Sequence, residues 1–261
     1  MLRIHKLGEA DRIITLLTRH HGRIRAVAKG IRRTTSKFGA RLEPCGHVEV
    51  QLATGRSLDV ITQAETRHPY GERIADDYTR YTTAAALLET AERLTVEERE
   101  PATQQFLLLS GALGALAGQQ HTPGLILDSY LLRSMAVAGY APSFSDCARC
   151  GVEGPHRAFS PGAGGMICSD CRPAGVASPA AGTVSLLAAL LTGDWAVADK
   201  SEPRHRREAS GLVAAYTQWH LESGIRSIAH LDRGGPPRVA PSTAPDPSSQ
   251  TDDPTTTTEL V

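Results

Sequence analysis

Hydrophobic and polar positions alternate through the first 66 residues. Residues 12–18 read RIITLLT, a β-branched and leucine run, and His20-His21-Gly22 follows as a turn. In residues 24–30 (IRAVAKG), Ile24, Ala26 and Ala28 share one face, and Arg25, Val27 and Lys29 the other. Val48, Val50 and Leu52 alternate with Glu49 and Gln51, and Thr54-Gly55-Arg56 turns the chain into residues 58–62 (LDVIT). Side chains on a strand repeat with period two. The pattern predicts short strands joined by glycine-bearing turns, a small antiparallel barrel or sandwich.

From Pro69 the period becomes helical. Ile74, Tyr78, Tyr81, Ala85 and Leu88 form one stripe, and Phe106, Leu109, Leu113 and Leu116 another. Thr122-Pro123 reads as an N-cap with proline at the first helical position. Leu127, Leu131 and Met135 continue the apolar face, and Gly139 is a C-terminal stop. Residues 183–191 and 203–223 predict two further helices, the second with Leu212, Val213, Tyr216 and Trp219 on one side. Such stripes are expected to be core. Residues 234–261 are mostly Gly, Pro, Ser, Thr and Asp and predict a disordered tail. The fold class is α+β: a sheet unit over residues 1–68, then a helical unit over 69–233 with an insertion at about 145–173.

Net charge is zero over 261 residues, but it is segregated. Residues 1–42 carry eleven Lys/Arg against two acids, whereas residues 43–147 carry seven Arg against fourteen acids. The basic set is Arg12, Arg19, Arg23, Arg25, Lys29, Arg32, Arg33, Lys37 and Arg41. Its densest part, KGIRRTTSK at 29–37, reads as a flexible basic loop with hydroxyls. Cations at this density attract a phosphate backbone and release its counterions, and the bland alternative is a solvated, solubilising surface. Phe38 is the one aromatic there, so sequence-independent backbone binding is favoured over base stacking. No run of eighteen apolar residues predicts a membrane span. The charged first residues do not read as a signal peptide. A cytoplasmic protein is expected.

The insertion holds Cys147-x2-Cys150-x17-Cys168-x2-Cys171. Two CxxC knuckles at this separation suit one tetrahedral, all-thiolate metal site, zinc above others. Four protein ligands leave no open position for water, so the expected role is structural. The glycine- and proline-rich loop between the pairs cannot bury much surface, so bound metal would supply its folding energy, roughly 10–16 kcal/mol apparent. Arg149, Arg157 and Arg172 could offset the thiolate charge. Cys45 reads as a buried free thiol. His47-x-Glu49 with Cys147-x2-Cys150 weakly echoes the zinc deaminase signature. However, Asp146 stands where that signature has proline, and Cys168 and Cys171 would have no role. Neither a phosphate-binding GxxxxGK[ST] loop nor GxSxG occurs, so no enzyme is expected.

Several blocks together resemble the bacterial recombination mediator RecO family: residues 7–18 (LGEADRIITLLT), 22–30 (GRIRAVAKG), Arg32-Arg33, 36–44 (SKFGARLEP), 58–66 (LDVITQAET) and the cysteine quartet. The resemblance covers about residues 1–233. It implies an OB-fold barrel followed by a helical domain carrying a zinc finger. It also implies binding of single- and double-stranded DNA, strand annealing, and loading of RecA onto SSB-coated strands together with RecR and RecF, in a nucleoid-associated protein that contacts RecR and the acidic SSB tail. The SSB tail is expected in an apolar, basic-rimmed groove of the helical domain. Only Leu2 to Leu7 can supply the first barrel strand, so a short strand is expected. The alternative is a zinc-containing regulatory or adaptor protein that binds only proteins.

Overall fold

The structure is a computed structural model that describes residues 1–221. The expected tail over 234–261 and the last part of the helical unit lie outside the described residues. Five strands come first: β1 (Arg3–Leu7), β2 (Asp11–Thr18), β3 (Gly22–Ala28), β4 (His47–Ala53) and β5 (Asp59–His68). Their order is β1-β2-β3-β5-β4, antiparallel except for a short parallel β3–β5 contact. This is the OB-fold order, with the helices following in an α+β chain.

The predicted alternation on β3 holds. Ile24, Ala26 and Ala28 are buried, and the latter two join Ile14, Leu16, Phe38, Leu42 and Ile61 in the core of the sheet. β1 is short: its five residues pair with Asp11–Thr15, and Leu16–Thr18 extend beyond it. β1 and β4 are the outer strands, and no pairing joins them among the described residues.

The outward face of β2 is largely covered, with Thr15 and Leu17 buried and Ile13 half-buried. Leu17 packs into the helical core beside Leu87, Leu109 and Leu113, so sheet and helices share apolar contacts. That core is built by α1 (Tyr70–Ala75), α2 (Tyr78–Leu94), α3 (Thr103–Ala117), α4 (Pro123–Val137), α5 (Ala181–Thr192), α6 (Trp195–Ala198) and α7 (Pro203–His220). α4 is central, touching α2, α3, α5 and α7. Leu127, Leu131 and Met135 are buried as predicted, and Gly139, at φ +91°, ends the helix where only a left-handed residue fits.

One stripe is corrected. Tyr78 and Tyr81 were expected in the core, yet they are 70% and 57% exposed. The helix restarts at Asp77, whose carboxylate accepts from the Arg80 N–H at 2.7 Å. The buried stretch of α2 begins only at Thr82 and runs through Ala86, Leu87, Leu88 and Thr90, so the two rings sit in a first turn that lies ahead of the core. Trp219 was likewise expected on the buried face of α7 and is 64% exposed, while Val213 and Tyr216 are buried.

Candidate nucleic-acid interface and metal centre

The nine predicted cations do not form one patch. β2 separates Arg19, in the β2–β3 turn, from the loop after β3, and eight strand residues span roughly 25 Å. Arg12 is half-buried and pairs with Glu43 at 2.9 Å. Arg23 and Arg25 stand on the outward face of β3, against the segment joining α2 to α3. The Arg23 guanidinium donates to the carbonyls of Glu92 and Val96 at the C-terminal end of α2, where the helix dipole favours a cation. Arg25 pairs with Glu98.

The loop after β3 gathers the rest. Lys29, Arg32, Arg33, Lys37 and Arg41 are all exposed. The loop is anchored rather than free: Ile31 and Phe38 are buried, and the Gly30 N–H donates to Asp11 Oδ1 at 2.7 Å. Arg32 donates to the Glu9 carbonyl, Lys37 to the Thr62 carbonyl and Arg41 to the Lys37 carbonyl, each at 2.7–2.8 Å. These bonds to neutral acceptors leave the positive charges uncompensated. Among the described residues, Lys29, Arg33 and Arg19 find no side-chain hydrogen bond or ion pair. The result is an exposed cationic ridge over residues 29–41 whose backbone is pinned by two buried side chains.

Cys147, Cys150, Cys168 and Cys171 converge, with their sulfurs within 4.8 Å of one another. Cys150 Sγ and Cys168 Sγ are 3.8 Å apart. A tetrahedral site with metal–sulfur bonds of about 2.3 Å has edges of about 3.8 Å, far longer than a disulfide. The donor set therefore fits a four-thiolate metal ion. The Cys168 N–H lies 3.4 Å from Cys147 Sγ. Hydrogen bonding from that N–H, ahead of those of Cys150 and Arg149, pulls the Cys147 thiol down to about 5 despite burial. Hydrogen bonding to the Cys168 and Cys150 side chains, ahead of burial, pushes the Cys171 thiol up to about 12, and an ion at the centre would reverse that preference. Arg149, Arg157 and Arg172 are exposed, and Arg172 donates to Ser178 Oγ at 3.0 Å.

A two-stranded hairpin ties this centre to the helices. β6 (Ala158–Ser160) pairs with β7 (Gly165–Ile167), matching Ala158 to Ile167 and Phe159 to Met166. Alternation sends Ala158 and Ile167 toward Cys147 and Cys168, and Phe159 and Met166 onto Met135 and Tyr216. Three-residue strands are too short to hold alone. His47 has no part in this centre. It lies at the sheet–helix junction beside His68, Tyr70 and Phe106, and among the described residues the four cysteines are the one group that could hold a metal. The deaminase pairing is thereby excluded. Cys45 is buried as expected, its thiol pushed up to about 11 by burial.

Two features escaped the sequence reading. Exposed Tyr81 borders a groove beside Lys37 and Arg41. A second cavity, of about 370 Å³, lies among α3, α4 and Trp195, with Leu107, Leu108, Ala112 and Ile126 in its lining. Arg133 also lines it, as does Tyr130, whose buried hydroxyl has no partner among the described residues. Both needed the helical phase and the packing of separate elements.

Residues 1–70 match the family profile "Recombination protein O N terminal", and residues 75–229 match "Recombination protein O C terminal". The chain belongs to the recombination protein O family. Three proteins named "DNA repair protein RecO" illustrate the likeness. That of a Nocardioides species is 63% identical over 236 residues, covering 89% of this chain and 97% of the relative. That of Streptomyces griseus is 60% identical over 239 residues, covering 89% and 96%. That of Thermobifida fusca is 59% identical over 233 residues, again covering 89% and 96%. Membership agrees with the strand order, the helical second part and the cysteine centre. No helix among the described residues is long and apolar enough to cross a membrane.

Proposed function

We propose that this protein is a DNA-binding recombination mediator in DNA repair. It acts by binding rather than by chemistry: it anneals complementary strands and helps load RecA onto SSB-coated single strands with RecR and RecF. The observation that carries this reading is the pinned ridge of Lys29, Arg32, Arg33, Lys37 and Arg41 on an OB sheet in a chain of this family. Exposed cations on a fixed backbone bind phosphates of any sequence. Arg19 adds a separate, weaker contact, and Arg12, Arg23 and Arg25 join only where phosphate displaces their present partners.

The cysteine centre holds zinc in this reading. The closed thiolate set supports a structural ion that folds the hairpin against α4 and α7. For the acidic SSB tail, the α3–α4 cavity is the best seat. Its aliphatic lining suits an apolar peptide end, and Arg133 and the Tyr130 hydroxyl suit a carboxylate.

The test is annealing of SSB-coated complementary strands by the zinc-loaded chain. Acceleration by the wild type, lost in the Arg32→Ala, Arg33→Ala, Lys37→Ala triple variant, is expected. No acceleration, with no salt-dependent DNA affinity, would leave the adaptor reading standing.

A further inference from the structure

We infer that Tyr81 is a base-stacking residue for single-stranded nucleic acid, seated across a groove from the phosphate-binding cations Lys37 and Arg41. The inference rests on the nucleic-acid reading above and gives it a means of telling single strands from duplex. A groove of about 920 Å³ runs between the segment after β3 and the α1–α2 corner. Lys37 and Arg41 from the loop after β3 line it together with Pro69, Ile74 and Tyr81 from the helical side.

Tyr81 is 57% exposed on a helix whose inward face is complete without it. Tyr78, one turn earlier on the same side, extends the ring surface. Asp76 and Asp77 precede Tyr78 directly, which disfavours a phosphate there and makes Tyr81 the better platform.

Charge decides the occupant. Two acids, Glu43 and Glu72, also line the groove, but Glu43 is neutralised by Arg12 at 2.9 Å. Lys37 and Arg41 each spend one donor on a backbone carbonyl and keep others for a ligand. A polyanion with flat, unpaired bases satisfies both sides: phosphates against the cations, a base against the ring. A paired duplex offers the phosphates but holds its bases in the stack, so Tyr81 discriminates between the two. An apolar peptide would use the ring and leave the cations unmatched.

The experiment measures binding of an oligo(dT) strand and of a duplex to the full zinc-loaded chain across salt concentrations. Tyr81→Ala is expected to weaken oligo(dT) binding about tenfold, within the range for one stacked base, while leaving its salt slope and duplex affinity unchanged. Tyr81→Phe should bind like wild type, because the ring and not the hydroxyl stacks. Lys37→Ala should weaken both probes and flatten both salt slopes. Wild-type affinity of Tyr81→Ala for oligo(dT), equal loss on both probes, or a loss that tracks altered self-association would overturn the stacking role. Failure of the wild-type chain to bind either probe would remove the underlying nucleic-acid reading instead.

Discussion

Arg25, on the outward face of β3, is ion-paired with Glu98 in the segment that joins α2 to α3. The same segment adds a backbone bond from Arg99 N–H to the Arg23 carbonyl at 2.9 Å and an ion pair from Arg99 to Asp59 at 2.7 Å. Gly22 permits this approach: at φ +58°, a side chain there would meet the Glu100 carbonyl oxygen at 1.7 Å. An acidic strap thus covers the part of β3 that does not pair with β5. Arg25 remains partly exposed, and such pairs are worth only about 0–1 kcal/mol. Glu98→Gln should therefore fold normally and raise DNA affinity a few-fold at low salt. If the freed guanidinium reaches a phosphate, the salt slope steepens by about 0.7–0.9. Anisotropy titrations at several salt concentrations would decide it, and unchanged affinity would mark the pair as structural alone.

Arg23 and Arg33 should separate stability from binding. Arg23 donates to two carbonyls at the end of α2, and its removal strips those acceptors of a charged partner. Arg23→Ala should cost about 1–3 kcal/mol in urea unfolding. Arg33 is exposed and finds no side-chain hydrogen bond or ion pair among the described residues. Arg33→Ala should leave stability within about 0.5 kcal/mol while weakening DNA binding and reducing the salt slope. The opposite assignment of losses would show that the ridge is not the contact surface.

Metal removal should act locally before it acts on binding. Ala158 and Ile167 depend on the cysteine cluster, while Phe159 and Met166 depend on α4 and α7. Cys150→Ser, or chelation, should expose residues 145–173 to protease first, since metal binding supplies roughly 10–16 kcal/mol to such modules. The sheet has its own core around Ile14, Phe38 and Ile61 and should keep its protection. Loss of DNA binding with the module still protease-resistant would contradict a purely structural role.

Periodicity made most of the fold legible, because β3 alternates between buried and more exposed positions, β4 between half-buried and exposed ones, and α4 buries nearly all of its length. The cysteine spacing likewise pointed to a convergence that the sulfur positions bear out. What escaped was phase and partnership. Tyr78 and Tyr81 share a helical period with Ile74 and Leu88, but the period does not register that the first turn of α2 lies ahead of the buried stretch that starts at Thr82. Arg23 and Arg25 look like free cations in a basic segment. Their partners, Val96 and Glu98, lie more than seventy residues away and become visible only when helix and strand meet.

His47 should make the sheet–helix junction sensitive to acid. It faces His68 across the β4–β5 pair and packs edge-on against Phe106. Its Nδ1 is buried with no hydrogen-bond partner among the described residues, so a proton added there would find no acceptor in them. Burial holds its pKa below the ordinary value of 6.5, and the positive charges of His68, the amino terminus and Arg67 add to the effect. The neutral ring is therefore favoured in the folded state. The unfolded chain takes up the proton first, so the stabilisation is complete above about pH 6.5 and is lost as pH falls through the lower folded value. Melting temperature should accordingly drop as pH falls below about 6.5, and His47→Gln should flatten that drop. His5 is exposed on β1, and His5→Gln should leave the profile as it is. An identical acid slope in the wild type and His47→Gln would locate the sensitivity in other groups, and a flattened slope in His5→Gln would show that exposed histidines suffice.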